Sequence, residues 1–358
     1  MRAAVLVEAG KPLVVCDDVE IAEPKAGKVR VRVKHCGVCH SDLSIVDGVF
    51  PAPMPVVLGH EAAGVVDAVG PDVTGLAPGD HVVLTPVPPC GTCYFCVRGE
   101  PGVCVNANAI TTNSFADGST GLSRGGDVIF RGVGLGAFGE YVLTQASGAV
   151  KIDKDVPLDV ACVIGCAVQT GVGAVFNTAR VEPGATVLVM GLGGIGLSIV
   201  QGAVLAGAAR IIAADPLPAR RDAAKKFGAT DVLDPKDTDV VARTQAITGV
   251  GADYAFDAVG RSSLIEDGLR ATRSGGTTVC VGAAPIDQNI TVAPAALFTI
   301  TEKKLLGCTL GSCNSLREIP RLIALWQTGR LDLASLVTAH RPLGEIDAAM
   351  SDLRAGKG

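Results

Sequence analysis

GLGGIG, Gly191–Gly196, fits the pattern G-x-G-x-x-G, which is weak evidence until its flanks are read. Before it runs ATVLVM, a short apolar stretch of strand character, and after it IGLSIVQGAVLAG, which reads as a helix. A second strand-like run, RIIAAD, ends in Asp215, 19 residues beyond Gly196. Each part has a physical use. Gly191, Gly193, Gly194 and Gly196, with Ile195 among them, let backbone approach a pyrophosphate, and the helix behind them offers free N–H groups and partial positive charge. The carboxylate at the end of the second strand accepts hydrogen bonds from an adenosine ribose. The alternative is a glycine-rich turn that binds nothing. Asp215 repels a 2'-phosphate, so NAD is expected over NADP, while Arg220 and Arg221 nearby keep a dual preference open.

The strand and helix alternation continues in DYAFDAVG and TTVCVGAA, which predicts a doubly wound parallel sheet. Two helix-like runs, LREIPRLIALWQTGR and GEIDAAMSDLRAGKG, close the chain. Upstream the pattern is different. Residues 1 to about 150 carry β-like runs, KVRVRVK (Lys28–Lys34) and AAGVVDAVG (Ala62–Gly70), between Pro/Gly turns, an irregular and mostly β domain. From Val105 to Gly139 the chain is glycine-rich and polar, which predicts a long surface loop. With 358 residues, two domains of ordinary size are expected, and no internal repeat is present.

Composition excludes several function classes. At 48% hydrophobic and 19% charged residues the chain is too apolar to stay disordered. A net charge of -5 gives no grip on phosphate backbones, so nucleic acid is not an expected partner. Glu8 cuts short the apolar run at the N-terminus and no small-residue cleavage site follows, which points to the cytoplasm. Gly184–Ala209 has no charge over 26 residues, long enough to cross a bilayer, yet its glycines break it into strand, turn and helix, so no membrane is expected.

Twelve cysteines in a reducing compartment are more often metal ligands or catalytic groups than bridges. Four of them, Cys90, Cys93, Cys96 and Cys104, lie within CGTCYFCVRGEPGVC. GVCHSD (Gly37–Asp42) and GHEAAGVVDAVG (Gly59–Gly70) add thiolate and imidazole, the ligands zinc prefers.

On these motifs the chain resembles the zinc-dependent medium-chain alcohol dehydrogenases, in particular the branch holding the liver-type and glutathione-dependent formaldehyde enzymes. The resemblance runs over nearly the whole chain and rests on G-H-E-x2-G-x5-G with the cysteine lobe behind it. It implies a GroES-like, mostly β catalytic domain (residues 1–167 and 311–358, with a structural zinc lobe at about 90–104) and a Rossmann domain (residues 168–310). It implies a catalytic zinc held by Cys39, His60 and Cys166, the last chosen over Cys162 because GCAVQTG matches G-C-x-x-x-T-G. Glu61 would be an occasional ligand, Asp42 would orient His60, and Ser41 would pass on the alcohol's proton. His40, Thr170 and Val281 would join the turn glycines, Asp215 and Arg220 around NAD, and the four clustered cysteines would close a second zinc. A homodimer or homotetramer is expected, acting on a small-molecule alcohol or aldehyde.

The chain departs from the family pattern in places. Ser44 stands where many relatives end the proton relay with a histidine. Pro86 and Ala283 replace larger pocket residues, pointing to a bulky or aromatic alcohol, and the chain stops at GKG, short of a segment that usually brings an arginine to the cofactor. Two other readings stay open. One is a dehydrogenase of a thiol adduct such as S-hydroxymethylglutathione, with Arg124 or Arg131 for its carboxylates; the other is a protein that binds zinc and nucleotide without catalysis.

Overall fold

The computed structural model describes residues 1–357 and divides into two compact units, Met1–Ala167 with Asn314–Gly358, and Val168–Cys313. The chain returns to the first unit at Asn314 rather than 311. The reason is local: Gly311 O accepts from Asn177 Nδ2 at 3.1 Å, and the Cys313 thiol donates to Gln169 O at 3.3 Å.

Alternation builds the first unit. In Lys28–Gly37, Val29 and Val31 are buried while Arg30 and Arg32 point away, the period of a strand with one face on a core. This strand pairs antiparallel with Glu61–Val69 at the centre of a five-stranded sheet. Irregularities at Arg30/Val31 and Val33/His35 adjust the register so that Gly37 lies opposite Glu61. Cys39 follows the end of one strand and His60 precedes the start of the other, so the pairing itself brings them together. The 3-10 turn Cys162–Gly165 packs on the same place. A Cβ at Gly165 would lie 2.6 Å from Leu84 O, a closeness only glycine allows, and Cys166 comes next in the chain.

Residues 105–139 are not a surface loop. Short helical turns at Val105–Asn108 and Ala109–Thr112 lead to a hairpin, Leu122–Arg124 with Asp127–Arg131, and Gly132–Gly139 is buried throughout. Leu122, Ile129, Val133 and Phe138 enter one core while Leu135 and Ala137 enter another. Strands of three and five residues broken by glycines leave little periodicity to read.

The second unit is a six-stranded parallel sheet. Its strands lie side by side in the order Asp231–Leu233, Arg210–Ala214, Thr186–Met190, Ala252–Asp257, Thr272–Cys280, Lys304–Gly307. That is the order 3-2-1-4-5-6 of a doubly wound sheet. Val187 and Val189 face one core and Leu188 and Met190 the other, so a central strand covered on both faces is apolar throughout. The 26-residue uncharged segment divides into the strand Thr186–Met190 and the helix Gly194–Leu205. Among the described residues no single helix is long and apolar enough to cross a membrane.

Candidate metal centres and dinucleotide site

Cys39, His60, Glu61 and Cys166 bring one ligand atom each to within 4.8 Å of one another. Cys39 caps the helix His40–Val46, and its N–H donates to Asp42 Oδ2 at 3.4 Å. Asp42 is fully buried, and its Oδ1 accepts from Gly59 N at 2.8 Å and lies 3.1 Å from His60 Nδ1. A proton held on Nδ1 by that contact leaves the Nε2 lone pair as the ligand. Burial pulls the His60 pKa down, but the Asp42 carboxylate and Cys39 outweigh it and hold the imidazole well above its usual value. A hydrogen bond from Cys166 holds the Cys39 thiol well below the usual thiol range, against burial. Burial pushes Glu61 up to about 8, with Cys39 adding to it, while its Oε1 accepts from Ala167 N at 3.1 Å. Two thiols, an imidazole and a carboxyl with their ligand atoms this close are a set that a divalent, sulfur-accepting ion would suit, and zinc fits.

The second cluster is all sulfur. Cys90 and Cys96 lie 4.0 Å apart at Sγ, and Cys93 and Cys104 3.9 Å. Disulfide sulfurs stand about 2.05 Å apart. A tetrahedron with zinc–sulfur bonds of about 2.3 Å has edges of about 3.8 Å, close to these separations. Backbone N–H groups of Cys93 and Cys90 donate at 3.3 Å to the sulfurs of Cys90 and Cys104, and those of Cys96 and Asn106 at 3.5 Å to Cys93 and Cys104. Such donors favour thiolate. Cys162, outside both clusters, is buried and donates to Asp159 O at 3.2 Å. Cys16 and Cys313 are buried, whereas Cys36, Cys280 and Cys308 are half-buried.

In the second unit Gly191 has φ +88°, and a Cβ on Gly196 would sit 1.8 Å from Gly191 O. The third glycine of the turn is therefore needed for close packing, while Gly193, with nothing near a Cβ, faces open space at the start of the helix Gly194–Leu205. Ile195 is half-buried, and Val281 and Thr170 are buried. Asp215, 3% exposed, accepts from Leu192 N at 2.9 Å and Leu217 N at 2.8 Å, which fixes the carboxylate beside the turn. Arg220 Nη1 lies 3.8 Å from it, and Arg221 pairs with Asp234 at 2.8 Å.

Ser41 is half-buried, with its hydroxyl 3.8 Å from Cys39 Sγ, and His40 is exposed at the start of the same helix. Arg124 is paired with Asp18 at 2.8 Å on the hairpin edge, and Arg131 is buried. Ala167 N, the support of Glu61, was not visible in the sequence, because a backbone donor carries no signature. Gly37 has one: its Cβ would meet Glu61 Oε2 at 2.4 Å, so the glycine two residues before Cys39 marks a crowded wall beside Glu61.

The family model described as alcohol dehydrogenase GroES-like domain matches residues 25–154, and the one described as zinc-binding dehydrogenase matches residues 194–327. S-(hydroxymethyl)glutathione dehydrogenase of Synechocystis sp. is 38% identical over 99% of this chain and 97% of its own. The protein of the same description from Saccharomyces cerevisiae is 37% identical, over 99% and 93%. Among solved structures, benzyl alcohol dehydrogenase from Acinetobacter calcoaceticus superposes with a TM-score of 0.93 at 33% identity, covering 99% of this chain and 96% of that one.

Proposed function

This chain belongs to the zinc-dependent medium-chain alcohol dehydrogenases, and on that premise we propose that it oxidises a hydroxymethyl group to a formyl group, an aldehyde from an alcohol or a formyl thioester from a thiol adduct, with hydride passing to NAD and the hydroxyl proton to solvent. The convergence of Cys39, His60 and Cys166 beside Ser41 carries the reading. Bound there, zinc would supply a Lewis acid for the substrate oxygen, and NAD the acceptor for the hydride. The residues of the chain do the rest. Asp42 Oδ1 holds the His60 proton on Nδ1 and so fixes the tautomer. Ser41 Oγ takes the hydroxyl proton of the substrate and passes it on, with no histidine at position 44 to share the task. Glu61 is an occasional ligand, held back by Ala167 N. His40, Thr170, Val281, Gly193 and Asp215 bind the cofactor, and Arg220 beside Asp215 leaves room for some use of NADP. Cys90, Cys93, Cys96 and Cys104 hold a second zinc that leaves no position for substrate.

For the substrate, the relatives at 37–38% identity favour a thiol-borne hydroxymethyl group such as S-hydroxymethylglutathione. A second reading, an aromatic primary alcohol, is favoured by Pro86 in the pocket sequence and by Arg124 being already committed to Asp18. Initial rates at the nicotinamide absorbance, with formaldehyde plus glutathione against benzyl alcohol, separate them. A higher kcat/KM for the adduct supports the first; turnover of benzyl alcohol alone supports the second. A homodimer or homotetramer is proposed as well. Ile286, Ile290, Leu297 and Ile300 are exposed, and Lys304–Gly307 is an edge strand. Cysteines clustered as thiols rather than disulfides suit the cytoplasm.

A further inference from the structure

We propose that Arg131 is the floor of a binding site for a small monocarboxylate, separate from the residues assigned to zinc and NAD. Arg131 ends the strand Asp127–Arg131 and is 2% exposed. Its Nη2 donates to Gly134 O at 2.7 Å, whereas Nε and Nη1 are buried without a hydrogen-bond partner. The guanidinium lies 3.6 Å from the centroid of the Phe115 ring. The Lys28 ammonium lies 3.6 Å from the same centroid. The one carboxylate acting on Arg131 is Asp117, which is already bonded to Ser119 and lies 3.7 Å from Lys28. Burial brings the guanidinium down to about 9, the mark of a cation with too little to balance it. A buried charge left in this state is costly, and an anion beside it removes the cost.

The space for that anion is present. A cavity of about 350 Å³ is lined by Arg131, by the uncharged polar side chains of Asn108, Thr112, Ser114 and Thr144, and by apolar ones such as Val105 and Phe115. Arg131 is the only charged residue in its lining, and no cysteine or histidine of either metal cluster takes part. The volume suits a small organic molecule. One positive charge with neutral donors around it matches a monoanion, and a dianion would be left in excess. Arginine pairs well with the planar carboxylate, and a carboxylate in this cavity would offset the guanidinium's charge.

The test uses the zinc-loaded full chain. Thermal unfolding and titration calorimetry are run with sodium acetate and sodium benzoate against chloride and inorganic phosphate at matched ionic strength. A saturable rise in Tm with carboxylate, beyond chloride and larger than with phosphate, is expected. Because carboxylates also ligate open metal positions, dependence on Arg131 decides the matter. Arg131→Met should weaken carboxylate binding by about tenfold or more. If that variant does not fold, Thr112→Glu, which places a carboxylate in the lining, should abolish the response to added carboxylate. No carboxylate effect in wild type, an effect unchanged in the folded variants, or stronger binding of phosphate would each overturn the proposal.

Discussion

At Asp42 one carboxylate oxygen serves two donors, Gly59 N and the His60 ring, inside a fully buried site. Asp42→Ala removes the acceptor that sets the tautomer, and zinc affinity at the mixed site should fall by about 10- to 100-fold. Competition with a chromophoric chelator measures this, and Asp42→Asn, which keeps an oxygen in place, should fall less. Ser41 makes a different claim, because its hydroxyl is 3.8 Å from the ligand sulfur and has a structural alternative in capping a turn. Ser41→Ala should lower kcat by about 10² to 10⁴, the range of a positioned proton-transfer group, while Ser41→Thr keeps most of the rate. An alanine variant near the wild-type rate, at full zinc content, would make Ser41 structural. For Asp215, with both oxygens already fixed by backbone amides, Asp215→Ala should lower kcat/KM with NAD and hold or raise it with NADP. A wild-type preference for NADP would contradict that assignment.

The glycine turn and the strand pairing act as elements rather than as single residues. Gly196→Val would drive its side chain into Gly191 O, so the helix Gly194–Leu205 has to move away from the strand that feeds the turn. Loss of NAD binding with the metal content unchanged is the expected result, read by cofactor fluorescence and zinc analysis of the same sample. The elements also differ in how clearly the sequence announces them. Thr186–Met190 and Lys28–Gly37 carry their pattern openly, one apolar on both faces and the other alternating Val with Arg. Residues 105–139 conceal theirs. Their strands are short and their buried residues are set by distant partners, such as the parallel pairing of Phe130 with Val56, which no local period records. Arg131 was visible as a basic residue there, but its burial against Phe115 depends on that packing.

In the whole molecule, the mixed centre and the tetrathiolate belong to one compact unit and the dinucleotide turn to the other. The candidate ligands were legible because cysteine and histidine spacing is a chemical statement, and the fold brings them together in two groups. What the sequence did not show was their backbone supports, the Ala167 amide and the sulfur-facing N–H groups. The two clusters should respond differently to loss of a ligand. Cys93→Ser leaves a lobe with little apolar core and three ligands, so stability should drop and a chelator should loosen the lobe. Cys39→Ser should spare the fold and remove turnover. The direct test is therefore zinc content per folded chain, by elemental analysis, in wild type and Cys39→Ser, with turnover measured on the same preparations. Two zinc ions in active wild type and one in a folded, inactive Cys39→Ser chain are expected. One zinc ion in active wild type, or a Cys39→Ser chain that keeps two and still turns over, would contradict the assignment of a catalytic and a structural centre.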